Sequence, residues 1–120
     1  FNETLTTTIF RAYHQEDDSG TDFHYVTGDD IAQGTTYMRL GQTGADNDQH
    51  VSGTLHLFDP SSTTFVKHFM ARTAEAHGAN IAADVLVAGY VNTTSAIDEV
   101  SFKFHSGNID SGTFKLYGVV

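Results

Sequence analysis

The sequence predicts an all-β fold, and three observations support this prediction. Several runs alternate between apolar and polar residues with a period of two, the pattern of a strand with one dry and one wet face. Nine Phe, five Tyr and many Thr accompany a single Pro, a composition that favours strands over helices. Turn-forming residues interrupt the chain about every ten residues. We therefore expect an antiparallel β-sandwich of about eight strands, for which a jelly roll is one topology.

The length of 120 residues corresponds to one domain, residues 1–120, with a single hydrophobic core. The chain contains no Cys, which excludes a disulfide or a thiolate metal site. It has no run of about 18 apolar residues, so we expect no membrane insertion. Because the chain begins with Phe1 rather than Met, we expect a fragment or a processed product.

The first half of the chain supplies four predicted strands separated by polar loops. In the first of them, Leu5 and Ile9 lie on the same face. The four predicted strands span residues 4–13, 22–26, 36–40 and 50–58. Gly, Asp and Asn are frequent between them, so we expect the loops 15–21, 27–34 and 41–49 to be mobile and to face solvent.

The second half contains one ambiguous run and one unusually apolar run. In 65–72, Phe65 and Phe69 fit one face of a helix, but the flanking strand signals favour a strand. Residues 81–91 are apolar on both parities apart from Asp84, which indicates a central strand. Either the chain itself covers the second face of this strand or another subunit does. The candidate oligomer interface is then formed by Ala82, Leu86, Ala88 and Tyr90.

The last part of the chain contains two further alternating runs. Val100, Phe102 and Phe104 share one face of the first run, and Phe114 and Leu116 share one face of the second. A loop over 106–112, rich in Gly and Ser, separates the runs. We therefore expect an antiparallel pair whose apolar side chains lie in the core.

Three segments carry a resemblance to a known group of proteins. They are YVNTTSAID from Tyr90, FKFHSGNIDSGTFKLYG from Phe102 and SGTLHLFDPSSTTFVKHFMART from Ser52. Together they resemble the small C-terminal β domains of virion proteins in tailed, marine-type phages. The resemblance implies a structural or adhesion domain on the virion surface, at a fibre tip, on a head fibre or as a capsid decoration. It also implies a homotrimer that contacts other virion proteins and a host surface glycan or protein.

The resemblance brings no catalytic motif, and no nucleophile elbow such as GxSxG is present, so we expect no enzyme activity. The alternative function is a stand-alone carbohydrate-binding module. Such a module binds sugars on an aromatic platform, and without Trp this chain would have to use Tyr25, Tyr37 and Tyr90. Binding to a glycan array by the isolated monomer would favour this alternative.

Charge limits the partners and suggests one ligand. The formal net charge is −9, and a surface of this sign repels nucleic acid. Among the seven His, His56 and His68 could face each other across a turn, but no third zinc ligand is evident. Loop carboxylates suit calcium better than zinc, but the EF-hand spacing is absent and ordinary Asx turns are the favoured explanation of them. The candidate cation or receptor contacts are Asp17, Asp18, Asp22, Asp46, Asn47 and Asp48.

Overall fold

The computed structural model describes residues 3–119 and contains one five-stranded antiparallel sheet. The strands are β1 (Leu5–Gln15), β2 (Thr21–Tyr25), β3 (Val51–Leu57), β4 (Lys67–His77) and β5 (Ile81–Val91). Their order across the sheet is β2-β1-β5-β4-β3. The described residues contain no helix, which confirms the all-β class. A second sheet, a jelly roll and eight strands are not confirmed, since the described residues form five strands.

The apolar run 81–91 is the central strand, as predicted. β5 pairs along its whole length with β1 on one side and with β4 on the other. The ambiguous run 65–72 lies mostly in β4, so the strand interpretation is confirmed and the helical one is wrong. A helix over 65–72 would have left one edge of β5 without hydrogen-bonding partners. Pairing with β5 therefore decides the structure of a segment whose own sequence fits both a helix and a strand.

The sheet has one buried face, which we call the inner face. Odd-numbered side chains of β1, β4 and β5 point to it, as the period of two requires. The core cluster on this face consists of Ile9, Phe69, Ala71, Val85 and Val87. Leu5, Leu55 and Leu57 pack at its edges. Burying apolar area at about 25 cal/mol per Å² makes this face the main source of stability.

Residues 26–49, which we call the covering segment, close the inner face. Val26, Met38 and Leu40 pack against the core, and the Leu40 carbonyl accepts a hydrogen bond of 2.6 Å from the Thr73 hydroxyl. The predicted strand 36–40 is therefore wrong. Its alternation reflects Met38 and Leu40 pointing into the core, but its backbone crosses over the sheet instead of lying beside a strand edge.

The loop 27–34 also differs from its prediction as a solvent-facing loop. Its second half runs beside β1, where Leu5 and Gly34 form a β-bridge. Ile31 is buried, and its amide N donates a hydrogen bond of 2.8 Å to the hydroxyl of Thr7. A segment with a buried apolar anchor and backbone pairing belongs to the structured body of the domain.

Residues 98–119, which we call the tail, contain no strand, so the predicted C-terminal antiparallel pair is wrong. Val100, Phe102, Phe104 and Phe114 are all exposed, and Leu116 is 100% exposed. The two halves still approach each other, because the rings of Phe102 and Phe114 stack with centroids 4.9 Å apart. Alternation indicates which side of a segment is apolar, but a ladder also needs a partner strand, and in residues 3–119 the tail has none.

Candidate functional site

Three turns meet at one end of the sheet, which we call the acidic end. The β1–β2 turn and the β4–β5 turn are joined by a hydrogen bond of 2.9 Å from the Glu16 amide to the Asn80 carbonyl. The end of the covering segment approaches from the other side. A Cβ atom on Gly44 would lie only 2.6 Å from the Cα of Gly78, so the close approach of these two backbones requires glycine.

The first predicted group of acidic residues is held by local contacts within the β1–β2 region. Hydrogen bonds from the side chain of Ser19 and from its amide, the latter of 3.0 Å, lower the pKa of the Asp17 carboxyl group. Asp18 lies 3.0 Å from the Nε2 atom of His14. Asp22 accepts a hydrogen bond from its neighbour's amide, at Phe23. Asp17 thus forms an Asx turn, whereas Asp18 and Asp22 make other local contacts, so Asx turns explain this group only in part.

The second group lies in a separate turn of the covering segment. Asp46, Asn47 and Asp48 are exposed, and the Gln49 amide donates to the Asp46 carbonyl at 3.1 Å. Across residues 3–119, no three His, Asp or Glu side chains are grouped closely enough to hold a metal ion. The two acidic groups thus share one end of the sheet, on either side of the β4–β5 turn, without forming a ligand cage. Calcium binding stays a prediction, and calorimetric titration at millimolar calcium tests it.

The two histidines considered as a zinc pair, His56 and His68, are offset along the sheet. His56 pairs with Met70, whereas His68 lies opposite Phe58, whose amide donates to the His68 carbonyl. Both rings contact aromatic neighbours instead of each other: His56 stacks on Phe58, and His68 meets Tyr90 edge to face. Two imidazoles in this arrangement make aromatic contacts typical of a sheet surface.

The even-numbered side chains of β1, β4 and β5 form the second face of the sheet, which we call the outer face. All four predicted interface residues, Ala82, Leu86, Ala88 and Tyr90, lie on it along β5. Phe10 pairs with Leu86 on one side, and Met70 pairs with Ala88 on the other. Met70 is 56% exposed, and Phe23 on β2 is 69% exposed. The outer face therefore presents an apolar surface to solvent.

The sequence analysis missed the contribution of β1, β2 and β4 to the outer face. The signal was present, because Phe10 and Met70 lie on the opposite parity to the core residues Ile9 and Phe69. Large apolar side chains on both parities of adjacent strands indicate a sheet with two apolar faces. Without the strand order, however, these side chains could not be assigned to one surface with Leu86.

A polar network also escaped prediction and lies at the opposite end of the sheet from the acidic end. The side-chain amide of Gln33 donates to the hydroxyls of Thr6, at 2.8 Å, and Tyr90, at 3.2 Å. Its oxygen accepts from Thr4 and from the side chain of Asn92, each at 3.1 Å. Gln33 has a positive φ of 51°, which aims its side chain along the outer face. The network fixes the point where the chain leaves β5 for the tail.

Among the described residues, the inner face holds a small cavity of about 10 Å³, room for a single water molecule. Glu75 and Arg11 line it, and the Glu75 Oε2 and Arg11 Nε atoms are buried without a hydrogen-bond partner. Burial raises the pKa of Glu75, although Oε1 accepts a hydrogen bond from the Gln42 amide. The cavity is too small for a substrate.

These features define an all-β domain with a single antiparallel sheet, one apolar face open to solvent and an exposed C-terminal tail. Comparison with family models, with curated proteins and with solved structures gives no match for the chain. Within residues 3–119 there is also no helix long and apolar enough to cross a membrane. The function is therefore argued from the surfaces described above.

Proposed function

We propose that the chain is a structural or adhesion domain of a tailed-phage virion. It is displayed on the particle surface as a fibre tip, a head fibre or a capsid decoration, and it assembles as a homo-oligomer, most simply a trimer. The observation that carries the proposal is the pair of uncovered apolar surfaces, the outer face and the tail. Soluble monomers rarely leave contiguous apolar surface of this extent open, whereas assembly proteins use it for contacts.

A displayed domain must attach to the particle at one end and contact the host surface at the other, and the two ends of the sheet differ accordingly. The tail leaves from the end marked by Gln33 and Asn92, and apolar side chains are concentrated there. The opposite, acidic end carries Asp17 and Asp46 in exposed turns. We propose that the tail end makes the contacts with other copies and other virion proteins. The acidic end then faces the host surface, where it contacts a receptor or a cation.

We further propose that assembly completes the predicted fold. The described strands, the segment 36–40 and the two alternating halves of the tail together make eight extended segments. In this proposal the tail forms strands only when it meets a partner, and the second layer of a jelly-roll-like β-sandwich is thereby added to the five-stranded sheet. No enzyme activity is part of the proposal.

Incorporation into particles tests the virion role. Phage particles that carry an epitope tag on this chain are purified by density gradient, and the tag is located by immunogold electron microscopy. We expect label at symmetric positions and a fixed copy number by quantitative mass spectrometry. A chain that remains entirely in the lysate supernatant would contradict the proposal.

The alternative function, a carbohydrate-binding module, is favoured by one observation. The rings of Phe10 and Tyr25 meet edge to face, 6.3 Å apart, on the same outer face that carries Tyr90. Tyr37 does not belong to this surface, because it lies in the covering segment with Lys103 4.2 Å above its ring. Sugar binding by the isolated monomer that is lost in Tyr25→Ala and kept in Tyr37→Ala would support this alternative.

A further inference from the structure

We propose that the tail of one copy docks on the outer face of a second copy. This inference rests on the proposed homo-oligomer and specifies which surfaces form its contact. The tail residues concerned are Val100, Phe102, Phe104, Phe114 and Leu116. The outer-face residues concerned are Phe10, Phe23, Met70, Leu86 and Ala88.

The sequence of the tail is suited to a strand that its own chain does not complete. In both halves apolar side chains recur at every second position, with Lys103 and Lys115 on the opposite parity. Among the described residues, no backbone hydrogen bond joins residues 98–119 to each other or to the sheet. The exposed rings are therefore free to pack their apolar side against a surface of another chain.

The outer face has the chemistry that matches the apolar side of the tail. Its central rows across β1, β5 and β4 are Phe10–Leu86–Arg72 and Thr8–Ala88–Met70, each with two apolar members. Its strongest charged contact is the ion pair of Arg72 with Asp84, which is already neutralised within the face. An apolar strand layer about 10 Å above such a sheet is the ordinary geometry of a β-sandwich.

The tail does not cover the outer face of its own chain. Its body contacts go to the covering segment, where the hydroxyl groups of Ser101 and Tyr37 are 3.2 Å apart. Just before the tail, the Ile97 amide donates to the Pro60 carbonyl at 2.8 Å. The tail therefore leaves along the inner side of the domain, and the outer face lies on the far side of the sheet. A neighbouring copy can present its outer face without this obstacle.

The area is sufficient for a specific contact. An aromatic residue carries about 150–250 Å², so the exposed fractions of the three tail Phe residues and of Leu116 sum to an area on the order of 450 Å². A standard interface buries about 800 Å² on each partner, of which more than half is apolar. One tail thus approaches the apolar content of a complete interface. Each copy donates one tail and accepts one, a heterologous contact that produces the proposed trimer when the rotation between neighbouring copies closes the ring.

Charge favours the tail over a direct contact between bodies. Residues 1–97 carry twelve acidic and four basic side chains, a net charge of −8, whereas residues 98–120 carry a net charge of only −1. Two bodies therefore repel each other. The nearly neutral tail is the part of the chain that can approach a second body at low electrostatic cost.

The test uses the full-length chain and three variants, measured by sedimentation equilibrium and light scattering. The tail variant is Phe102→Ser with Phe114→Ser, and the face variant is Met70→Asp. The matched control is Phe65→Ser, because Phe65 is 69% exposed, close to the 65% of Phe114, but lies in neither surface. We expect an oligomer for the wild type and the control, and monomers for the tail and face variants. The dissociation constant should rise about 100-fold or more.

A mixture of the two monomeric variants decides the pairing. The tail variant has an intact outer face and the face variant an intact tail, so the mixture should form one contact and sediment as a heterodimer. If either variant alone stays oligomeric, or if the mixture stays monomeric, the tail does not bind the outer face. Those outcomes contradict the docking of the tail but leave the homo-oligomer intact. A monomeric wild type contradicts the homo-oligomer itself. Circular dichroism confirms folding, and Phe23→Asp replaces Met70→Asp if that variant is unfolded.

Discussion

The ring of Phe69 lies directly over Gly89, its pairing partner across the two central strands. A Cβ atom at position 89 would come 3.1 Å from this ring and 2.5 Å from the carbonyl oxygen of Thr6. The backbone of β5 therefore approaches β1 and the core where no side chain fits. The contact packs Phe69, the one aromatic residue of the core cluster, against the two central strands.

This contact makes Gly89→Ala a sensitive test of the inner face. The added methyl group must displace either β1 or the Phe69 ring, and we expect unfolding to become easier by about 1–3 kcal/mol. Urea denaturation measures the change. Gly28→Ala is the matched control, because a Cβ there meets nothing within 4 Å. That control should be neutral or slightly stabilising. Equal losses in both variants would contradict the described packing.

The sequence predicted the strands of the sheet better than it predicted their surroundings. Strict alternation around Ile9 and Leu55 identified β1 and β3, because each strand has one face in the core. The same pattern failed for Met38 and Phe102. A period of two reports which side of a chain is apolar, but it does not report whether a strand edge is available for hydrogen bonding.

Local sequence patterns also predict only part of the candidate site on the outer face. The apolar run around Leu86 predicted a second apolar face for β5, and the structure places that face toward solvent. Phe10 and Met70 belong to the same surface only because β1 and β4 flank β5. Strand order depends on contacts between distant parts of the chain, so this part of the surface could not be predicted from local patterns.

The buried carboxyl group of Glu75 predicts a specific dependence of stability on pH. Its pKa is raised in the folded state, mainly by burial, above the ordinary value of 4.5. The folded state therefore holds the proton more tightly than the unfolded state, and the stability gained from this is complete below pH 4.5. It is lost as the pH rises through the folded-state pKa.

Glu75→Gln removes this contribution because glutamine does not ionise. We expect the variant to gain stability relative to the wild type as the pH rises through the folded-state pKa of Glu75, and to hold that gain at higher pH. Urea denaturation of both proteins across the range gives the difference, and carboxyl NMR of the wild type locates the titration. A difference that does not change with pH would contradict a raised pKa for Glu75.

The ion pair of Arg72 and Asp84 accounts for the single charge in the apolar strand β5. Arg72 donates two hydrogen bonds to the Asp84 carboxylate, of 2.9 and 2.6 Å, and these contacts lower the pKa of Asp84. Stability from this pair is present above the ordinary pKa of about 3.8 and is lost as the pH falls through the folded-state value. We expect Arg72→Met to return the pKa of Asp84 toward its ordinary value in NMR titrations. Arg39→Met is the control, because Arg39 pairs with Asp29.

The exposure of the tail, and its lack of backbone hydrogen bonds to the strands, predict that the sheet folds without it. Because the described residues contain no backbone hydrogen bond between residues 98–119 and the strands, a chain ending at Asp98 should keep its β-sheet circular dichroism. The melting temperature of the monomer should change by no more than about 3 °C. Phe102→Ala in the full chain should likewise cost under about 0.5 kcal/mol in the monomer, far less than the 3–5 kcal/mol typical of a core Phe.

A chain ending at Asn80 provides the contrast, because it also lacks the central strand β5 and should not fold. If the chain ending at Asp98 unfolds as well, the tail belongs to the folded monomer, and its rings must be buried against the chain's own sheet. If the truncated chain is folded but no longer associates, the tail is needed for assembly and dispensable for the monomer. Sedimentation and thermal melting of the same two samples distinguish these results, since the first measures association and the second measures the stability of the sheet.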